Sequence, residues 1–145
     1  MSEALDAALR LVRAQAALVR RLDARLGGLH GVSLADFTLL LRLGEAPGGR
    51  MRRVDLAEAL GLTASGVTRG LAPLERIGLV SREPDARDAR VAYASLTGTG
   101  RQRLAEMRAT AEETAEEIFA GSAWPPEDIA RLADLLSRLG GTGLR

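Results

Sequence analysis

Apolar positions divide the chain into stretches of two different periods. From Ser2 to Leu26, Leu5, Val12, Val19 and Leu26 recur every seven residues, and Leu11, Leu18 and Leu22 widen the stripe. Arg10, Arg13, Arg20 and Arg21 fall mostly on the other side. That spacing predicts a helix whose apolar stripe is wider than one packing face requires, so it can cover its own core and also meet a second chain. Gly27 and Gly28 are expected to end it. Ser33, with Asp36 three residues on, predicts a capped helix carrying Leu34, Phe37, Leu40, Leu41 and Leu43 inward. Gly44 to Gly49, with Pro47, reads as a turn. A short helix follows over Asp55 to Leu60, with Leu56, Ala57 and Leu60 inward and Gly61 as its stop. Thr63 caps another that runs to about Ile77, before Gly78. Pro73 inside it removes the donor to the Arg69 carbonyl and is read as shaping the helix rather than ending it.

The period then changes. Leu79 to Arg82 and Val91 to Leu96 read as strands, with a charged tip between them over Glu83 to Arg90. Thr97 opens a long helix to about Ala120, with Leu104, Met107, Ala111, Ala115 and Ile118 on one face. Glu112, Glu113, Glu116 and Glu117 on the other read as a solvated acidic face. Trp124-Pro125-Pro126-Glu127 starts a last helix with Ile129, Leu132, Leu136 and Leu139 inward, ended by Gly140 and Gly141. Two short helices joined by a Gly-Leu turn make a helix-turn-helix, and two strands directly after it make a wing. The expected fold is mainly α with a small β-hairpin wing.

Composition narrows the chemistry. The chain has 145 residues, 46% hydrophobic and 27% charged, a size that suits one domain burying roughly 70% of its unfolded surface. No run approaches the ~20 apolar residues of a membrane span. No basic stretch leads into an apolar one at the start, so a cytoplasmic protein with no membrane partner is expected. Cysteine is absent, every one of the 20 basic side chains is Arg, and His30 is the sole histidine. Thiolate, Schiff-base and P-loop chemistry are excluded, and a catalytic triad or zinc site would have to turn on His30 alone. No enzyme, cofactor or metal is expected. The net charge of +1 hides a division: residues 50–103 carry +4 and residues 104–145 carry −4. A basic middle beside an acidic end points to a polyanion-binding module joined to a part with another task.

Leu56-Ala57-Glu58-Ala59-Leu60-Gly61-Leu62-Thr63, Val67-Thr68-Arg69 and Leu74-Glu75-Arg76-Ile77-Gly78-Leu79-Val80 resemble the multiple-antibiotic-resistance-regulator (MarR) family. Asp85-x-Arg87-Asp88-x-Arg90 looks like that family's wing motif, and Leu96-Thr97 with Gly100 like its exit into the long helix. The resemblance implies one domain in which residues 2–32 and 98–145 are dimerisation helices flanking a winged helix-turn-helix lobe at 33–97. It implies a homodimer on pseudo-palindromic double-stranded DNA, and a regulator, often a repressor, released by small, frequently aromatic or phenolic effectors.

Residue chemistry agrees with that reading. A helix entering the major groove needs small or polar residues on its leading turns; Thr63, Ser65 and Thr68 supply them in the 63–77 helix. Arg69 is long enough for a guanine edge or a phosphate. In the 83–90 wing, Arg87 is the candidate for the minor groove. The chain carries Ala89 where many relatives have a second basic residue. Asp88 and Arg90 are expected to hold hairpin and recognition helix together through a bidentate pair, with Arg90 touching phosphate secondarily. Arg50, Arg52 and Arg53 suit phosphate contact and solvated charge equally. An effector pocket would be lined by Leu22, Leu26, His30, Phe37 and Leu41, where the dimerisation helices meet the lobe. The competing reading is a winged-helix scaffold for protein interaction or dimerisation that does not read DNA sequence.

Overall fold

The computed structural model describes residues 1–140. Gly141, expected to share the final helix stop, and the rest of 141–145 lie outside the described residues. The elements run α1 (Glu3–His30), α2 (Leu34–Glu45), a single 3-10 turn (Pro47–Gly49), β1 (Arg50–Arg52), α3 (Arg53–Leu60), α4 (Ala64–Arg76), β2 (Val80–Pro84), β3 (Ala92–Leu96), α5 (Gly98–Gly121) and α6 (Pro126–Leu139).

Local chemistry sets most of these boundaries. Ser2 caps α1, its Oγ accepting the Leu5 N–H at 3.2 Å. The Ser33–Asp36 capping box is complete: Ser33 Oγ accepts from Asp36 N–H and Asp36 Oδ2 accepts from Ser33 N–H, each at 3.0 Å. Asp23 of α1 takes the Leu34 N–H at 2.6 Å, so two carboxylates meet the positive end of α2. Thr63 and Thr97 cap α4 and α5 through the amides of Gly66 and Gly100. Helix α4 runs through Pro73 as one element.

Three expectations change. Helix α1 does not stop at Gly27; it continues to His30, and Gly31 takes the left-handed conformation (φ 69°) that closes it on the Gly27 carbonyl. A stop needs a residue whose φ can turn positive after the last packed turn, and Gly31 is the one so placed. Second, the sheet has three antiparallel strands, not two, in the order β1-β3-β2. Arg50, Met51 and Arg52 pair with Ser95, Ala94 and Tyr93. Third, the apolar stripe of α6 does not turn into this chain's core. Ile129 and Leu132 are half-buried, while Leu136 and Leu139 are exposed.

The core sits between α1, α2, α5 and the helix-turn-helix. Leu26, Leu40, Leu43, Leu56, Val67, Leu71, Leu74, Leu79 and Met107 are its largest fully enclosed members. Leu104, Met107 and Ala111 face it from α5 as expected, and Ala115 and Ile118 are half-buried. Thr110 and Thr114, also buried, return their hydroxyls to the carbonyls of Glu106 and Thr110. That satisfies polar groups which would otherwise cost free energy inside.

Candidate nucleic-acid interface

Helix α4 has two unlike faces. Val67, Leu71 and Leu74 are buried against the lobe, whereas Thr63, Ala64, Ser65, Thr68 and Arg69 are exposed. The exposed side begins at the amino end, where small side chains let a backbone approach closely. Thr63 Oγ1 accepts from Gly66 N–H at 3.0 Å and lies 3.1 Å from Ser65 Oγ. Thr68 returns its hydroxyl proton to the Ala64 carbonyl at 3.1 Å. Arg69 is exposed and, among the described residues, pairs with no acid. Its guanidinium is therefore free for an outside acceptor.

The wing is built by its aspartates. Asp85 Oδ1 accepts the N–H groups of Arg87 (2.7 Å) and Asp88 (3.2 Å), and the Asp85 N–H donates to the Val91 carbonyl at 3.0 Å. Asp88 accepts the Arg90 N–H at 3.0 Å and holds its guanidinium bidentately at 3.1 and 3.2 Å. These bonds keep both carboxyls below the usual carboxylate range: for Asp85 mainly the Arg87 amide, for Asp88 mainly the Arg90 side chain. The Asp88–Arg90 pair thus forms as expected, but both partners belong to the tip and the pair does not tie the wing to α4. Two residues apart in one tight turn, they reach each other before either can reach a helix. Arg90 stays 91% exposed in spite of the pair. Arg87 is exposed at the tip with no acid partner among the described residues.

The three arginines ahead of α3 take three different positions. Arg50 lies over the Tyr93 ring, 4.0 Å from its centroid, and 3.6 Å from Glu83 of β2. Arg52 is exposed, and a hydrogen bond with the Tyr93 side chain raises its already high pKa. Arg53 turns across to α4 and pairs with Glu75 at 2.9 Å. The roles of Asp85 and of the Arg53–Glu75 pair were missed by sequence reasoning. Pro84-Asp85 carried a turn signal that could have found the first; nothing local marks the second.

The expected effector residues come together where α1, α2 and α5 meet. Leu26 and Phe37 are in the core, Leu22 and Leu41 pack at its edge, and His30 Nε2 lies 2.7 Å from Thr110 Oγ1. An open cleft of about 480 Å³ lies elsewhere, lined by residues that include Arg42, Arg50, Arg52, Asp55 and Tyr93. No helix among the described residues is long and apolar enough to cross a membrane.

The model of the MarR family matches residues 30–91, which hold the helix-turn-helix, β2 and the tip of the wing. The crystal structure of Sco3205, a MarR family transcriptional regulator from Streptomyces coelicolor in complex with DNA, superposes on the entire chain and on 94% of its own, with a TM-score of 0.86 and 26% identity. The chain is thus similar to MarR family regulators, in sequence over residues 30–91 and in fold over nearly its whole length. AbsC, another MarR family transcriptional regulator of Streptomyces coelicolor, matches at 26% identity and a TM-score of 0.83, over 97% of this chain and 94% of that one. The transcriptional regulator BldR from Sulfolobus solfataricus is 29% identical, with a TM-score of 0.74 over 95% of this chain and 99% of its own. The six helices and the small three-stranded sheet match the architecture of these solved regulators.

Proposed function

We propose that this chain is a MarR-family transcriptional regulator, a dimeric repressor that binds pseudo-palindromic DNA and acts in the cytoplasm. Residues 33–97 form the DNA-binding lobe, and residues 2–32 and 98–145 the dimerisation helices. The 63–77 helix lies in the major groove, with Thr63, Ser65, Thr68 and Arg69 toward the bases. The 83–90 wing reaches the minor groove with Arg87, Arg90 touches phosphate and Asp88 holds the turn. The observation that carries this is the pair of exposed arginines without acid partners among the described residues, Arg69 on α4 and Arg87 on the wing tip, both within the stretch 50–103 that carries a net +4. A protein-interaction scaffold has no need of free guanidiniums at both places. The activity is binding, not catalysis. Release by a small aromatic or phenolic effector is assigned to the junction around Leu22, Leu26, His30, Phe37 and Leu41. Leu26 and Phe37 are packed there, so entry requires α1 and α2 to part.

Two substitutions test the docking. Arg69→Ala is expected to weaken binding to the preferred duplex by about 1–3 kcal/mol and relax base preference at one position per half-site. Arg87→Ala is expected to lower affinity evenly across sequences and make the salt dependence shallower. Wild-type affinity and salt slope in both variants, measured by fluorescence anisotropy, would remove the docking.

A further inference from the structure

Arg53 opens α3, and its side chain leaves that helix for the next one. Nη2 lies 2.9 Å from Glu75 Oε1, and Nη1 donates to Thr68 Oγ1 at 3.3 Å. Because the Thr68 proton goes to the Ala64 carbonyl, its oxygen meets Arg53 as an acceptor. The Arg53 and Glu75 side chains are 20% and 32% exposed, and Arg53 Nε is buried without a partner. Most ion pairs among the described residues join side chains that are each about two-fifths exposed or more. Arg53 is instead withdrawn from water and gives up one donor to hold α4 at two points.

Those two points are seven residues apart, two turns along one face of α4. A single attachment would let the helix pivot; two resist both rolling about its axis and sliding against α3. Roll matters because Arg69 follows Thr68 directly. A rotation of about 20° moves a side-chain tip about 8 Å off the axis by about 3 Å, a full hydrogen-bond length.

We infer that Arg53 is a positioning residue: through Glu75 and Thr68 it sets the roll of α4 so that Arg69 meets the base edges in register. This rests on the DNA-reading function proposed above. The rival role for Arg53, a phosphate contact, makes opposite predictions. As a phosphate contact Arg53 is restrained by Glu75, so removing the acid should tighten binding to every duplex. As a clamp it needs Glu75, so removing the acid should weaken discrimination.

Arg53→Gln, Glu75→Gln, the double variant and Arg53→Lys would be titrated against the selected duplex and an unrelated one at two salt concentrations. Both single variants are expected to lose at least tenfold in preference for the selected duplex, with the wild-type salt slope. The double variant should lose no more than either single one, since both break the same contact. Arg53→Lys should not restore the preference, because one ammonium cannot hold two partners in a fork. Should Arg53→Gln fail to fold, Glu75→Gln, which keeps an acceptor oxygen and removes only the charge, carries the same test. Tighter binding of Glu75→Gln to both duplexes, a salt slope lowered by about one in Arg53→Gln, or preference kept in both variants would overturn the clamp. If wild type itself prefers no duplex, the DNA-reading function falls first; if wild type discriminates and the variants do too, only the clamp falls.

Discussion

The carbonyl oxygen of Leu79 accepts the N–H of Thr97 at 3.0 Å, and the Thr97 hydroxyl donates to the preceding Gly78 carbonyl at 2.7 Å, which fixes the entry to α5 against the end of the helix-turn-helix. Gly100 sits so close to the Leu79 oxygen that a Cβ there would collide with it and with Leu96 Cδ1. Alanine elsewhere in a helix gains up to about 1 kcal/mol over glycine. Here Gly100→Ala is expected to destabilise by about 1–3 kcal/mol, because relief requires backbone movement. Urea unfolding checks this, and a higher midpoint than wild type would contradict it. The resemblance picked Gly100 out by its motif, but the reason, a neighbouring carbonyl, is visible only in the fold. Caps were legible from sequence since each is settled within a few residues: Ser33 with Asp36, Thr63 with Gly66, Thr97 with Gly100. Arg53 was not, because its partner Glu75 lies 22 residues away.

Among the elements, those with a strong period were read well and those defined by a distant partner were not. Strand β1 is three residues long and shows no alternation of its own; it is a strand only because Tyr93, Ala94 and Ser95 arrive beside it. The end of α1 was misplaced at Gly27 since sequence cannot say which of several glycines takes the left-handed position. The wing gives a prediction at this scale. Its turn is held by Asp85 and Asp88 as carboxylates, and both have pKa values lowered in the folded chain. A lowered pKa contributes order that is complete above the ordinary carboxylate value, about 4, and is lost as pH falls through the depressed ones. Amide shifts of Arg87, Asp88 and Arg90 should therefore hold steady from neutral pH down to about 4 and move below it, while Ala94 in the sheet stays unchanged until global unfolding. Tip amides that move well above that range would contradict the assignment.

At the scale of the whole molecule, two apolar surfaces lack a cover among the described residues. Leu5, Leu9, Leu11 and Val12 are exposed on α1, and Leu135, Leu136 and Leu139 on α6. The periodicity found both stripes, but a pattern gives a face and not its occupant, so the inward direction assigned to α6 failed. A second copy as the cover follows from the dimer proposed above. Leu135→Glu with Leu139→Glu is then expected to halve the mass seen by light scattering and to weaken DNA binding sharply, since two half-sites are no longer engaged together. A dimer of wild-type stability would contradict this use of α6. The division of charge fits the same plan, with a net positive lobe for the polyanion and an acidic α5 whose Glu113 and Glu117 meet Arg25 of α1.

The most direct test of the central claim is titration of the purified protein against labelled DNA from its own upstream region, with an unrelated duplex as control, at two salt concentrations. Binding about a thousandfold tighter to its own region, with affinity falling steeply as salt rises, is expected of a sequence-reading regulator. Equal, weak binding to both duplexes, together with no enriched sequence after selection from a random pool, would contradict it.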